Sequence, residues 1–156
     1  MHSTEKATEI AKKIKLLILD IDGVLTDGGI YFDDTGKELK KFNSLDGHGI
    51  KMLLSSGIEV GVITARSTSS VSYRLKDLGV KHYYHGISDK SITLTELTDK
   101  LSIELSQVCY VGDDVIDLTV MTKVALPIAV ANAHSFVKEH SILVSKKCGG
   151  SGAVRE

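Results

Sequence analysis

The stretch Leu16-Leu17-Ile18-Leu19-Asp20-Ile21-Asp22-Gly23-Val24-Leu25-Thr26-Asp27 sets a short apolar run directly against a cluster of carboxylates. Residues 16–21 are apolar without alternation, apart from Asp20, the pattern of a strand buried on both faces. Similar runs recur at 59–64, 108–111 and 128–130, with a weaker one at 142–144. Helical patterns lie between them. Residues 49–56 carry Ile50, Leu53 and Leu54 on one face and stop at Gly57; residues 69–78 carry Val71, Leu75 and Leu78 and stop at Gly79. Each glycine suits the left-handed position that ends a helix. Residues 90–101, with Ile92, Leu94 and Leu97, and residues 116–123 predict two more helices, and a helix is expected over 1–13. Alternating strands and helices predict an α/β fold with a doubly wound parallel sheet.

One segment breaks the alternation. Residues 29–32 and 38–42 flank the turn-forming cluster Asp33-Asp34-Thr35-Gly36, which predicts a β-hairpin over 29–42, inserted after the first strand. No stretch is left for a separate cap domain, so the 156 residues read as a single domain.

Composition narrows the function. With 19 Lys and Arg against 20 Asp and Glu the net charge is −1, and no basic block appears, which removes the electrostatic case for a nucleic-acid or anionic-membrane partner. A chain 42% hydrophobic and 25% charged is that of a folded globular protein. Cys109 and Cys148 show no metal-ligand or C-x-x-C spacing, and the six histidines show no H-x-x-x-H pair. The amino-terminal residues lack a signal-peptide core and no apolar run is long enough to span a bilayer, so a cytoplasmic protein with a small or uncharged-surface partner is expected.

Ligands of open α/β sheets bind at the carboxyl ends of the strands. Collecting the polar residues there brings Asp20, Asp22, Thr26 and Asp27 together with Thr64 and Arg66, Lys90, and Asp113, Asp114 and Asp117. Residues i and i+2 of an extended segment point the same way, so Asp20 and Asp22 can face one ligand. Carboxylates this close repel unless a cation compensates, and an all-oxygen cup suits Mg²⁺. Asp20 can then attack phosphorus and Asp22 can serve as general acid and base. Thr64 can donate to a phosphoryl oxygen, and Lys90 can hold the nucleophile and the developing charge. Asp114 reads as a helix-terminal residue and Asp117, one turn on, as a residue that orients the others.

Asp20-Ile21-Asp22-Gly23-Val24-Leu25-Thr26, Thr64, Lys90 and Gly112-Asp113-Asp114-Val115-Ile116-Asp117 resemble the four ordered motifs of the haloacid-dehalogenase-type phosphatases. Asn43-Ser44-Leu45-Asp46-Gly47, Ser88-Asp89-Lys90 and the tail Gly149-Gly150-Ser151-Gly152-Ala153-Val154-Arg155-Glu156 are similar to the 3-deoxy-D-manno-octulosonate 8-phosphate phosphatases among them. That resemblance implies Mg²⁺ on the side chains of Asp20 and Asp113 and the backbone carbonyl of Asp22. It implies a keto-sugar acid phosphate as substrate, bound around Asp22, Asn43, Ser44, Leu45, Asp46 and Gly47 with Lys51, Arg66, Arg74 and Lys90. It also implies a homotetramer, with the hairpins meeting at its centre, and a place in lipopolysaccharide precursor synthesis. A related phosphatase of a nine-carbon keto-sugar 9-phosphate is the alternative. A phospho-receiver domain is the alternative from another class, but it needs an aspartate where Val62-Ile63-Thr64-Ala65-Arg66 has none. Residues 149–152 lack the lysine and strand–loop–helix setting of a phosphate loop, so 146–156 is expected to be a flexible tail.

Overall fold

The computed structural model describes residues 2–156, with side chains from Glu5 onward. Met1, part of the expected amino-terminal helix, and the side chain of His2 lie outside the described residues. The elements are α1 (His2–Ala11), β1 (Leu16–Leu19), β2 (Tyr31–Phe32), β3 (Glu38–Leu39), α2 (Ser44–Ser55), β4 (Glu59–Ile63), α3 (Ser69–Leu78), β5 (His82–Tyr84), α4 (Lys90–Leu101), β6 (Val108–Gly112), α5 (Leu118–Met121), β7 (Leu126–Ala129), α6 (Ser135–Glu139) and β8 (Leu143–Val144). Six strands form one parallel sheet in the order β5-β4-β1-β6-β7-β8, and β2 pairs with β3 as an antiparallel hairpin.

β1 is central because all four of its residues are apolar and buried. It registers Leu16 with Glu59 on one side and with Val108 on the other. The chain first winds outward through β4 and β5, then crosses back and winds the other way through β6, β7 and β8. Right-handed crossovers therefore put α2 and α3 on one face and α4, α5 and α6 on the opposite face. The direction reverses between β1 and β6, so the carboxyl ends of those strands open onto a crevice. Residues that follow them are the ones presented to a ligand.

Several boundaries differ from the sequence pattern. α2 starts at Ser44 rather than Gly49, because Asn43 caps it, accepting a hydrogen bond from the Leu45 amide at 2.8 Å. Gly47 sits inside that helix, where a Cβ would lie 2.2 Å from Nη2 of Arg74. The helix expected over 116–123 is a 3₁₀ turn, Val115–Asp117, followed by α5. β5 and α6 are three and five residues long, too short to leave a period in the sequence.

The expectation of a flexible tail is corrected. Residues 146–156 fold back on the body: Gly150 donates to the Val24 carbonyl at 2.9 Å, Gly149 to Asn132 Oδ1 at 2.9 Å, and Arg155 to Asp46 Oδ1 at 2.8 Å. The absence of a Cβ at Gly149 and Gly150 is what allows this close backbone packing.

Candidate active site

Asp20, Asp22, Thr64, Arg66, Lys90, Asp113 and Asp114 line one cavity of about 170 Å³ at the carboxyl end of the sheet, together with Ala65 and Ile116. Four separate segments supply them. Asp20 follows β1 in extended conformation and leads into a wide helical turn, Ile21–Leu25, that Asp22 and Gly23 interrupt. Gly23 has φ +92°, and a Cβ on it would lie 2.0 Å from Asp113 Oδ2. Only glycine meets both demands, so the residue lets a carboxylate approach the backbone. Thr26 ties the turn: its hydroxyl donates to the Ile21 carbonyl and accepts from the amides of Gly23 and Gly28, each at 3.3 Å.

Lys90 opens α4 behind Asp89, which caps the helix by accepting from the Ser91 amide. Its ammonium is buried and donates to Asp20 Oδ1 at 2.9 Å, Asp117 Oδ1 at 2.8 Å and the Tyr110 hydroxyl at 3.2 Å. Burial opposes the charge on Lys90, but Asp20 and Asp117 outweigh it and hold its pKa above the usual value. Asp117 is fully buried and both its oxygens are filled: Oδ1 by Lys90 and by Tyr110 at 2.6 Å, Oδ2 by the amides of Asp113 and Asp114. It therefore orients its neighbours, and Asp114 caps the turn that follows by accepting from the Val115 amide.

Three carboxylates face a single ammonium here, and Asp20 and Asp113 are held above the usual carboxylate range. Burial, then the Asp117 charge, pushes Asp20 up to about 6, and burial, then Asp20, pushes Asp113 up to about 7. Oxygens of Asp20, Asp113 and Asp117 lie within 4.8 Å of one another, and Asp113 Oδ1 is buried with no hydrogen-bond partner. An orphaned anionic oxygen in an all-oxygen cup fits a hard divalent cation such as Mg²⁺. Asp117, already saturated, contributes charge to that site rather than a free ligand atom.

Thr64 is held from three sides: its amide donates to the Tyr84 carbonyl, its own carbonyl accepts from the Ile87 amide, and Oγ1 accepts from the Arg66 amide at 3.3 Å. Two residues of this region escaped the sequence reading. Lys40, on the hairpin, pairs with Asp22 Oδ1 and, at 2.7 Å, with Glu38 Oε1, while Glu38 Oε2 accepts from Arg66 Nη2 at 2.8 Å. Residues 38 and 40 share a face of the hairpin that lies over the first strand end, and that placement was the one available signal.

The expected sugar-acid residues are not brought to this cavity as a group. Only Asp22, Arg66 and Lys90 line it. Asn43 caps α2, and Ser44 and Leu45 form its exposed first turn. Asp46 is buried, and its carboxylate accepts from the amides of Gly152 and Arg155, which fastens the tail to α2. Gly47 gives room to Arg74, which pairs with Asp77 at 3.0 Å, and Lys51 is exposed beside Lys76 and Asp77. Among the described residues no histidine joins a cluster able to hold a metal, and His82 pairs with Glu59.

A family model for haloacid dehalogenase-like hydrolases matches residues 84–154. Over 146 residues, 94% of this chain and 78% of the relative, the sequence is 50% identical to KdsC, the 3-deoxy-D-manno-octulosonate 8-phosphate phosphatase of Escherichia coli K12. The chain belongs to the 3-deoxy-D-manno-octulosonate 8-phosphate phosphatase family. Solved structures of this phosphatase family agree in fold. The Yersinia pestis phosphatase superposes with TM-score 0.95 at 44% identity, covering 97% of this chain and 82% of that one. The phosphatase of Moraxella catarrhalis, solved with magnesium, phosphate and the sugar acid KDO, superposes with TM-score 0.94 at 41% identity, covering 97% and 87%.

Proposed function

We propose that this chain is a Mg²⁺-dependent phosphomonoesterase that hydrolyses 3-deoxy-D-manno-octulosonate 8-phosphate to the free sugar acid and inorganic phosphate, a step in making lipopolysaccharide precursors. The observation that carries the reading is the cup itself, in which Lys90 bridges Asp20 and Asp117 while the buried Asp113 Oδ1 has no partner. The relatives named above support the substrate.

Asp20 is the nucleophile. One of its oxygens attacks phosphorus, the bond from phosphorus to the sugar oxygen breaks, and an aspartyl-phosphate forms. Asp22 delivers a proton to the departing alkoxide, then takes one from the water that attacks the aspartyl-phosphate, which returns both carboxyl groups to their starting state. Thr64 donates to a phosphoryl oxygen, and Lys90 fixes Asp20 while offsetting charge that builds on the transferring group. Asp20, Asp113 and the Asp22 carbonyl would hold Mg²⁺, which would supply the positive charge that lets a phosphate dianion approach this acidic cup. Arg66, at the rim and free to pair with a carboxylate when it leaves Glu38, is the residue matched to the sugar acid.

The 156 residues act as one catalytic domain, with the hairpin in the place of a lid. Ile30, Tyr31, Phe32 and Leu39 leave the hairpin with a large exposed apolar surface, which supports self-association as a homotetramer. No helix among the described residues is long and apolar enough to cross a membrane, in keeping with a cytoplasmic enzyme.

The test is steady-state kcat/KM on a panel of sugar phosphates with Mg²⁺, including the eight-carbon 8-phosphate and a nine-carbon keto-sugar 9-phosphate. The eight-carbon ester is expected to lead. A flat profile would leave a general phosphatase, and a preference for the nine-carbon ester would reassign the substrate.

A further inference from the structure

Residues 148–156 take no part in the reaction as described, yet they press on the turn that carries Asp22. A Cβ on Gly149 would lie 1.7 Å from the Gly23 carbonyl oxygen and 3.1 Å from that of Thr26. Gly150 has φ +66°, and its Cβ would lie 2.4 Å from the Asp27 amide nitrogen. Backbone thus rests on backbone along residues 23–27, and the Gly150 amide bonds the Val24 carbonyl in the middle of that stretch. The turn needs such backing, since Asp22 and Gly23 leave the helical path and Thr26 holds the rest by bonds of 3.3 Å.

The far end of the tail is fastened separately. Buried Asp46 accepts from the amides of Gly152 at 3.3 Å and Arg155 at 2.8 Å, and the Glu156 carboxylate accepts from those of Lys146 and Lys147 at 3.1 Å. A side chain of α2 therefore anchors a strap whose other end contacts the turn after β1.

We propose that the Gly149-Gly150 backbone, anchored through Asp46, is a positioning element that holds the turn so that the Asp22 carboxylate stands within reach of the leaving oxygen. The inference rests on the phosphomonoesterase reading above. It assigns to the tail a role in proton transfer rather than in substrate affinity, because the tail touches the Asp22 turn and not the cavity lining.

Proton delivery matters for an alkoxide leaving group and little for p-nitrophenolate, which leaves without a proton. The experiment compares Gly149→Ala with the unaltered chain in single-turnover cleavage of the sugar 8-phosphate and of p-nitrophenyl phosphate, with KM and thermal stability followed alongside. Cleavage of the alkyl ester is expected to fall about hundredfold, the scale of a lost general acid, with aryl ester cleavage and KM changed by no more than about threefold. Equal loss on both esters, or a lowered Tm with both rates intact, overturns the proposal. Asp46→Asn keeps both glycines and loosens only the anchor, so it reports even where Gly149→Ala fails to fold. It is expected to lower the alkyl-to-aryl rate ratio about tenfold by the same loss of alignment; an unchanged ratio overturns the proposal. Failure of the unaltered chain to cleave either ester would instead sink the phosphomonoesterase reading.

Discussion

Lys90 is the residue on which the site's balance turns. A buried ammonium is costly by itself, and so is each of the carboxylates around it; together they are tolerable because every hydrogen of the ammonium finds an acceptor. Replacing Lys90 by Met removes the cation but leaves Asp20 and Asp117 buried side by side. The metal-free variant is expected to lose about 3–5 kcal/mol of stability, the cost of an uncompensated buried charge, measurable by urea unfolding in EDTA. Asp20→Asn is the contrasting change. It deletes the proposed nucleophile while relieving repulsion from Asp117, so phosphate release should fall below detection while the Tm in EDTA holds or rises; retained turnover would remove Asp20 from that role. The same reasoning shows why Asp113 and Asp117, four positions apart, differ: one is saturated by Tyr110, Lys90 and two amides, the other keeps a bare oxygen.

Among the elements, the hairpin and α2 do more than connect strands. The hairpin brings Lys40 onto Asp22 and Glu38 onto Arg66, so a two-stranded insertion closes over the end of β1. α2 packs on β4 and α3 and begins at Asn43, whose side chain accepts from the Leu45 amide. Asn43→Ala is expected to cost about 1 kcal/mol, the worth of a helix cap, with kcat/KM on the sugar phosphate within about twofold of the original. A large rise in KM instead would return Asn43 to the substrate site. Asn43-Ser44-Leu45-Asp46-Gly47 is contiguous in the chain, but on the helix its members face a cap, solvent, the tail and Arg74 in turn. The period of a helix, not the content of the motif, distributes them.

For the whole molecule, a net charge of −1 conceals a concentrated negative site. Asp20 and Asp113, raised to about 6 and about 7, favour the proton in the folded metal-free chain. Their contribution to stability is present below the unfolded carboxylate value of 3.8 and is lost as pH rises through those raised values. Asp27, Asp33 and Glu38, which are shifted down, stay ionised throughout that window and do not oppose the trend. In EDTA the Tm is therefore expected to fall between about pH 5 and pH 8, and Mg²⁺ to raise it most at the alkaline end. A Tm independent of pH in EDTA, or an equal Mg²⁺ effect at both ends, would contradict this account of the cup.

The layered α/β fold and the candidate reacting groups are legible along the chain, because both are encoded locally. Continuous apolar runs such as Leu16-Leu17-Ile18-Leu19 suit strands buried on both faces of a parallel sheet, and the polar residues next to them are then carried to its carboxyl edge. Contacts between residues far apart in the chain emerge only once it is folded: Lys40 on Asp22, the Asp46 carboxylate on the tail, and Gly149 against Gly23. Nothing in the pattern around a residue says which distant backbone will lie against it. That depends on how the sheet, the helices and the tail pack, and Gly23 and Gly149 mark places where that packing is closest.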